Sequence, residues 1–439
     1  MENVNKIIEL LNKSHSQFHA IKNCKELLLE NNIIELEESK DFDLKPGNGY
    51  FIVRNGSSLI SFVVPKNIDK INSFKFEASH SDSPTFKIKP NPIIEINNTT
   101  SLNVEPYGGM IMYSFMDRLL SIAGRLQLYN KENNTIQTNL VDINEDLLFI
   151  PSLPIHMNRN CNSGYAFNPA IDLIPVLGMK NNIDFNKLIL EKSNLDSSKY
   201  EVLSHDLFIY NRDKTRLVGL NKEFVSSPKI DNLTSVYTSL IGLINSNSKE
   251  SNSINIVAIF DNEETGSLTR QGACSTFLKD VLFRIKNSLN ISEENYLKMI
   301  AKSSLLSIDN AHALNPNHQE YADRTSRVFI NEGIVIKYNA NQSYTSDAIS
   351  SSLVKLLCKN NDLKYQEYTN RSDLRGGSTL GNLSNSQVSL ISCDIGLPQF
   401  AMHSSNEFCG TKDINDMIKL CESYFSTNIN IESNKITLE

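Results

Sequence analysis

Two adjacent glutamates, Glu263 and Glu264, directly follow an apolar run at residues 254–260. Like charges at the end of a buried strand repel each other and resist the loss of water, so such a pair persists where a cation holds it. Adjacent side chains of an extended segment point to opposite sides. One carboxylate can therefore bind a metal ion while its neighbour faces a substrate. A solvated acidic turn is the alternative, and further ligands elsewhere in the chain are needed to choose between the two.

Further potential ligands also lie beside apolar runs, and they are His80 with Asp82, Asp231, Asp309 and His403. His80 and Asp82 are two residues apart and share one side of an extended strand, so the Asp82 carboxylate can accept the free ring N–H of His80. Taken singly, these residues have ordinary interpretations, and Asp231 before a helix is a common N-cap. Together with Glu264 they supply two imidazoles and three carboxylates, which predicts a metal site.

The ligand types indicate which metal would bind and how. Mixed histidine and carboxylate ligands suit zinc or a neighbouring first-row metal, whereas calcium prefers oxygen alone. If Asp231 bridges two ions, His80 and Asp309 complete the protein ligands of one ion. Glu264 and His403 then complete those of the other. Two divalent cations, three carboxylates and a shared hydroxide sum to zero charge, so the cluster can be partly buried and still activate water.

With Glu264 assigned to a metal, Glu263 is left as the general base. In this role it takes a proton from the attacking water and returns it to the leaving amine.

The elements that must position these residues alternate between strands and helices. Apolar runs predict strands at 74–76, 254–260, 305–308 and 388–393, and helical spacing predicts helices at 4–30, from 233 onward and at 417–424. This order predicts an α/β fold, with a mixed central sheet and helices on both faces. Sites in such sheets gather outside the carboxyl ends of strands, which is where His80, Glu264 and Asp309 fall.

Residues from about 90 to 225 have a different character, with short alternating strands, Gly108-Gly109, several prolines and few helical patterns. We therefore expect an inserted β-rich domain at residues 91–224. The catalytic domain would be discontinuous, formed by residues 1–90 and 225–439. The alternative is that this stretch simply continues the first domain.

The composition of the chain limits the classes of function that it can have. A length of 439 residues favours two domains or one large domain with an insertion, and a net charge of −7 argues against nucleic acid as a partner. No run approaches the ~20 apolar residues of a membrane span. The seven cysteines form no C-x-x-C pair, and the first residues do not resemble a signal peptide. The expectation is a cytoplasmic protein without membrane or nucleic-acid partners.

Nearly the whole chain carries a series of short motifs in a specific order, at residues 18–20, 80–84, 104–109, 155–159, 230–233, 261–266, 309–313, 376–381 and 398–404. Some are weak individually. In this order the chain resembles the aspartyl aminopeptidase family of dinuclear zinc peptidases.

The resemblance implies a zinc-exopeptidase type of fold with two Zn²⁺ per subunit, with Co²⁺ or Mn²⁺ as alternatives at one site. It implies the ligands given above, with Asp82 orienting His80 and Glu263 as base. The inserted domain is expected to mediate dimer contacts, and such dimers to assemble into a homo-oligomer, a tetrahedral dodecamer. His156 matches a histidine that reaches into the active site of the neighbouring subunit.

The resemblance also implies the substrate. We expect a metallo-aminopeptidase that hydrolyses the N-terminal residue of peptides and prefers Asp or Glu. His312 and Lys337 match residues that hold the acidic side chain, and Tyr344 matches a tyrosine of the pocket. Asn315 stands where the animal enzymes have a second histidine, which leaves the strictness of the preference open.

Three alternatives remain at this point. One is a related dinuclear deacylase or carboxypeptidase, although the segment at residues 376–381 does not suit those enzymes. Another is an aminopeptidase of broad or neutral specificity. The third is an inactive scaffold, against which the intact set of ligands and base counts.

Overall fold

The computed structural model describes all 439 residues, in a mixture of helices and strands. The helices are α1 (Glu2–Leu11), α2 (Gln17–Glu30), α3 (Phe185–Lys192), α4 (Ile230–Asn245), α5 (Phe277–Ser288), α6 (Glu293–Ala301), α7 (Ala348–Asn360), α8 (Leu380–Asn385) and α9 (Thr411–Ser426). None of them combines the length and the apolar character needed to cross a membrane.

The strands form four sheets. They are β1 (Ile34–Leu36), β2 (Gly49–Arg54), β3 (Ser58–Val63), β4 (Ser73–His80), β5 (Thr85–Ile96), β6 (Thr99–Tyr107), β7 (Leu120–Asn130), β8 (Thr135–Asp142), β9 (Val176–Met179), β10 (Tyr200–Asn211), β11 (Arg216–Val218), β12 (Phe224–Ser227), β13 (Ser253–Phe260), β14 (Ser304–Ile308), β15 (Ala311–His312), β16 (Ile334–Tyr338), β17 (Tyr365–Thr369), β18 (Ile391–Gly396), β19 (Pro398–Phe400), β20 (Glu407–Gly410), β21 (Ile429–Glu432) and β22 (Lys435–Leu438).

The largest sheet has nine strands in the order β1-β2-β3-β13-β4-β14-β18-β16-β17. Its central strands β13, β4, β14 and β18 are parallel, while β3 and β16 flank them in the opposite direction. In the register of β13 and β4, Phe260 lies opposite His80. The carboxyl ends of these strands therefore meet at one edge of the sheet.

Helices cover both faces of this sheet because its strands are apolar on both sides. Along β13, Val257 and Ile259 belong to the core packed under α1, α2, α4, α7 and α9. Ile256 and Ala258 belong to the core packed under α5, α6 and α8. The predicted α/β fold, with a mixed central sheet and helices on both faces, is confirmed.

A second sheet is built between residues 85 and 211, in the order β8-β7-β10-β5-β6-β9. It has a hydrophobic core of its own that runs from Phe86 to Ile209 and includes one face of α3. Strand β5 (Thr85–Ile96) extends across residue 90, where the sequence placed the start of the insertion. The division of the chain into a catalytic and an inserted domain stays a prediction.

Two predicted elements have different bounds in the structure. Residues 4–30 form two helices, because the backbone turns after Leu11 and the Ser16 hydroxyl accepts a hydrogen bond from the His19 N–H to begin α2. The strand predicted at 388–393 begins only at Ile391. The Val388 N–H still bonds to the Ser384 carbonyl at the end of α8, so the chain becomes extended three residues later.

Candidate metal centre

The carboxyl edge of the central sheet positions most of the predicted ligands. His80 is the last residue of β4, and Asp309 follows β14 directly. Glu263 and Glu264 lie in a single 3-10 turn after β13, and Asp231 lies in the first turn of α4. The parallel register of the strands brings the first three segments together, as predicted.

His403 arrives from a separate small sheet, in the turn between β19 and β20. The buried Glu407 of β20 accepts hydrogen bonds from the His403 N–H at 2.7 Å and the Asp231 N–H at 2.9 Å. Burial, reinforced by the Asp231 charge, raises the pKa of Glu407 to about 8. Glu407 thus links two ligand segments that are far apart in sequence, and sequence analysis missed it because no local pattern distinguishes it.

Both imidazoles are oriented by backbone carbonyls. The His80 Nδ1–H faces the Asp82 carbonyl at 3.1 Å, and the His403 Nδ1–H donates to the Gly109 carbonyl at 2.6 Å. Since a carbonyl can only accept, each ring must carry its proton on Nδ1 and leave the Nε2 lone pair free.

The ligand atoms are spaced as they would be around metal ions. His80 Nε2 lies 3.6 Å from both Asp231 Oδ1 and Asp309 Oδ1. His403 Nε2 lies 3.3 Å from Asp231 Oδ2 and 3.5 Å from Glu264 Oε2. Two ligands at about 2.1 Å from a tetrahedral zinc are separated by about 3.4 Å, whereas N–H···O hydrogen bonds are shorter. The two groups share Asp231, which offers one oxygen to each.

Two buried oxygens of this cluster, Asp231 Oδ1 and Glu264 Oε1, have no hydrogen-bond partner. Buried polar atoms are normally satisfied, so this pair marks a place for a cation. Burial raises the pKa of Glu263 to about 8 and the pKa of Glu264 well above its ordinary value, and the neighbouring carboxylates add to both shifts. The donor set therefore fits two divalent ions, which would offset this accumulation of negative charge.

Asp82 ties the strand β4 to the glutamate turn. Its Oδ1 accepts the Glu263 N–H at 3.1 Å, and its Oδ2 accepts the Glu264 N–H at 3.2 Å and the Tyr107 hydroxyl at 2.7 Å. The carboxylate is 3.4 Å from His80 Nδ1, farther than its own backbone carbonyl. The Asp82 carboxylate lies near the His80 ring, but its hydrogen bonds go to Tyr107 and to the backbone of the two glutamates, and its role in orienting His80 stays a prediction.

The six-stranded sheet also contributes to the site, through the last residue of β6 and the segment that follows it. Tyr107 accepts a hydrogen bond from the Asn262 side chain at 2.8 Å. Gly108 has a φ of +73°, and a Cβ added there would lie 3.0 Å from Glu264 Cβ. A glycine is required by both this close approach and the left-handed backbone. The sequence showed Gly108-Gly109 as a motif without indicating this contact.

A cavity of about 310 Å³ opens onto the metal ligands and is lined by Glu263 and by three predicted substrate residues, His312, Lys337 and Tyr344. Tyr368, Thr379 and Met402 also line it and were not predicted. His156 lies in an exposed turn and is not among the lining residues of this chain's own cavity. Asn315 lines a neighbouring cavity instead.

Lys337 is buried, with its side chain 3% exposed. Its ammonium donates to the Asp309 carbonyl at 2.7 Å and the Asn310 carbonyl at 3.3 Å, and it lies 3.5 Å from Asp309 Oδ2. Burial lowers the pKa of Lys337, but the Asp309 carboxylate and the charges of further neighbours together raise it above its ordinary value. Lys337 therefore keeps a positive charge beside the cavity, 5.1 Å from the centre of the Tyr344 ring.

The fold and this cluster of histidines and carboxylates fit the class of metal-dependent hydrolases. The model of the aminopeptidase I zinc metalloprotease family (M18) matches residues 10–425, and the chain belongs to this family of metallo-aminopeptidases.

Curated relatives agree with this assignment. The chain is 40% identical to a probable M18 family aminopeptidase 2 of Clostridium novyi, over 96% of this chain and 98% of that protein. It is 34% identical to aspartyl aminopeptidase 1 of Schizosaccharomyces pombe, over 97% and 95%.

Solved structures show the same fold. The Ape4 and Nbr1 complex, solved by cryo-EM, contains a chain that superposes with a TM-score of 0.92 at 33% identity, covering 96% of this chain and 85% of the other. A chain of the S. cerevisiae mApe1 dodecamer superposes with a TM-score of 0.83 at 26% identity, covering 96% of each.

Proposed function

We propose that this chain releases the N-terminal residue of peptides with the help of two divalent metal ions, and that it prefers Asp or Glu as that residue. The observation that carries the proposal is the pair of three-ligand groups that share Asp231 beside a cavity. The family supplies the aminopeptidase activity and zinc as the metal type.

His80, Asp231 and Asp309 would hold one ion, and Asp231, Glu264 and His403 would hold the other. Zinc bound in this way supplies a Lewis acid that polarises a carbonyl and lowers the pKa of a water molecule. Three protein ligands per ion leave room for substrate or water, as a catalytic centre requires.

Glu263 is proposed as the general base. Its carboxyl group lines the cavity and makes no side-chain hydrogen bond that would occupy it. The Asp82 carboxylate holds the Glu263 backbone N–H and so fixes where the side chain starts. Glu263 would accept a proton from the water that attacks the scissile carbonyl and donate it to the leaving amine nitrogen.

The preference for acidic residues rests on Lys337. An ammonium has three donors, and carbonyls take two of those of Lys337, so one is left for a carboxylate in the cavity. His312 and Tyr344 line the same space. Relatives named aspartyl aminopeptidase support this preference.

Assembly into a homo-oligomer is proposed from two observations. The mApe1 structure is a dodecamer. In this chain the segment around His156 exposes Leu153, Ile155, Met157 and Ile171, and such apolar exposure marks protein interfaces. A native mass measurement tests the assembly, and a stable monomer at micromolar concentration would contradict it.

The function is tested by measuring release from Asp-, Glu-, Leu- and Lys-anilides together with the metal content. We expect about two metals per chain and the highest kcat/KM on Asp or Glu. No release from any anilide, with less than one metal per chain after reconstitution, would contradict the enzyme. Faster release of Leu than Asp would contradict only the acidic preference.

A further inference from the structure

A second cavity of about 450 Å³ lies beside the one at the metal ligands. The two cavities share His312, Tyr368 and Gly377 as wall residues. The loop at residues 371–379 lines both, with Arg371, Leu374 and Arg375 facing the second and Ser378 and Thr379 the first. Both volumes fall within the ~300–1,000 Å³ of ordinary ligand pockets.

Most charged residues of the second cavity already have partners within the chain. Arg371 forms a two-pronged ion pair with Asp373 at 2.6 Å, and His318 contacts Glu320 at 3.0 Å. Asp323 accepts backbone hydrogen bonds from the turn that follows it. These groups hold the shape of the cavity and have little charge left for a ligand.

Arg375 is different, because it has neither an ion-pair partner nor a side-chain hydrogen bond within the chain. It is exposed and lines the cavity together with apolar walls, which include Tyr321 and Leu374. An uncompensated guanidinium at the rim of a cavity is suited to a carboxylate, since its fork of donors matches the two oxygens.

The position of the cavity indicates which part of a peptide would reach it. An aminopeptidase substrate has one residue before the scissile bond, and its amine and side chain occupy the cavity that contains Lys337. All other residues of the substrate lie beyond the scissile bond. They must extend away from the metal ligands into an adjoining space.

We propose, building on the aminopeptidase function above, that the second cavity binds the leaving part of the peptide and that Arg375 selects a carboxylate on it. That carboxylate is either the C-terminal group of a short peptide or the side chain of an acidic second residue. The chain would then be an enzyme for short or acidic peptides, with a preference on both sides of the cleaved bond.

The test compares matched substrates in the wild type and in Arg375→Gln. One pair is Asp-Ala and Asp-Ala-amide, which tests the terminal carboxylate. The other pair is Asp-Glu-amide and Asp-Gln-amide, which tests the side chain. Asp- and Leu-anilides carry no downstream carboxylate. We expect the carboxylate member of at least one pair to have a kcat/KM about threefold to tenfold higher in the wild type, the range of a partly exposed charged contact.

In Arg375→Gln this advantage should fall to near one, while release from the Asp-anilide stays within twofold of the wild type. Arg327→Gln is the matched control, since Arg327 is an exposed arginine of the same region that does not line the cavity. Equal rates within both wild-type pairs would overturn the proposal. So would an equal loss on all substrates, or a changed ratio of Asp- to Leu-anilide release, which would place Arg375 at the first residue.

A binding measurement separates this proposal from the aminopeptidase function. Glu263→Gln, loaded with metal, should bind Asp-Ala more tightly than Asp-Ala-amide by a similar factor, and the additional Arg375→Gln change should remove the difference. If the wild type releases nothing yet this difference is present, the reaction assignment fails and the subsite stands. If release is normal and the difference is absent, the subsite fails.

Discussion

Two lysines are fully buried in the central sheet, and the structure uses them in opposite ways. Lys75 lies in the middle of β4, and its side-chain nitrogen lies within hydrogen-bonding distance, 2.7–2.9 Å, of the Tyr424, Phe425 and Thr427 carbonyls at the end of α9. Lys337 lies in β16 and gives only two hydrogen bonds to carbonyls, with a carboxylate and a cavity beside it.

The surroundings decide the charge of each lysine. Burial lowers the pKa of Lys75 to about 7, because the nearby Glu77 does not compensate for the loss of water. Asp309 and further nearby groups together keep Lys337 charged. A buried lysine in a strand is therefore not in itself a functional residue. A spare donor beside a cavity distinguishes the binding role proposed for Lys337 from the role of Lys75, which caps the end of a helix.

The largest expected effect tests whether the cavity beside Lys337 is the reaction site. In Glu263→Gln the metal content should be unchanged while kcat falls by at least ~10²-fold, the scale of a lost general base. Metal analysis and anilide kinetics on the same preparation measure both quantities. Activity near the wild-type level would assign the base elsewhere.

Lys75→Met should lower stability and leave catalysis alone. Three carbonyls at the end of α9 would lose their donor, at a cost of about 1–3 kcal/mol in unfolding free energy, or a few degrees in Tm. The ratio of Asp- to Leu-anilide release should not change in the folded protein. A changed ratio would contradict the structural role of Lys75.

Lys337→Met makes the same substitution at the second buried lysine. It should reduce kcat/KM for Asp- and Glu-anilides about tenfold, the loss expected for one charged hydrogen bond, with a smaller effect on Leu-anilide. The measurement is the ratio of kcat/KM on Asp- or Glu-anilide to kcat/KM on Leu-anilide, which a general loss of structure does not alter. An equal loss on all three substrates would refute the assignment.

The smallest expected effect is the pH dependence of the unfolding free energy. Lys75 has a pKa of about 7 in the folded protein and an ordinary value of 10.5 when unfolded, so between these values the unfolded chain binds more protons. Stability then rises with pH in this window. Burial also raises the pKa of Glu77, the neighbouring ionisable group, to about 8, and its opposing contribution ends near that pH.

The stability of the wild type is therefore compared with that of Lys75→Met above pH 8. From pH 8 to 9.5, the unfolding free energy of the wild type should rise relative to that of Lys75→Met by an amount on the order of 1 kcal/mol. Thermal unfolding detects this change as a growing difference between the two Tm values. Lys337→Met, whose folded pKa is not lowered, serves as the control. A constant difference across this range would mean that Lys75 keeps its proton when buried.

Much of the central sheet was predictable because its signals are local. The apolar runs at 254–260 and 305–308 lie within β13 and β14, and the ends of β4, β13 and β14 place His80, Glu264 and Asp309 as expected. The start of β18 was predicted three residues early. An apolar run does not show where a preceding helix, here α8, stops competing for the backbone.

The site was predictable to the extent that side-chain chemistry identifies a ligand. Glu407 and Tyr107 could not be found in this way, because a glutamate and a tyrosine are common residues and each also bonds here to a residue more than 150 positions away. The orientation of both imidazoles by backbone carbonyls is likewise invisible in the sequence.

The sequence by itself determined the strand and helix order, the set of ligand types and the adjacency of Glu263 and Glu264, because these depend on local spacing and on the chemistry of single side chains. Only the tertiary structure decided which of two strand lysines faces a cavity, that Asp231 offers an oxygen to each ligand group, and that Arg375 lines a second cavity without a partner. These properties depend on burial and on contacts between distant segments, which folding alone brings together.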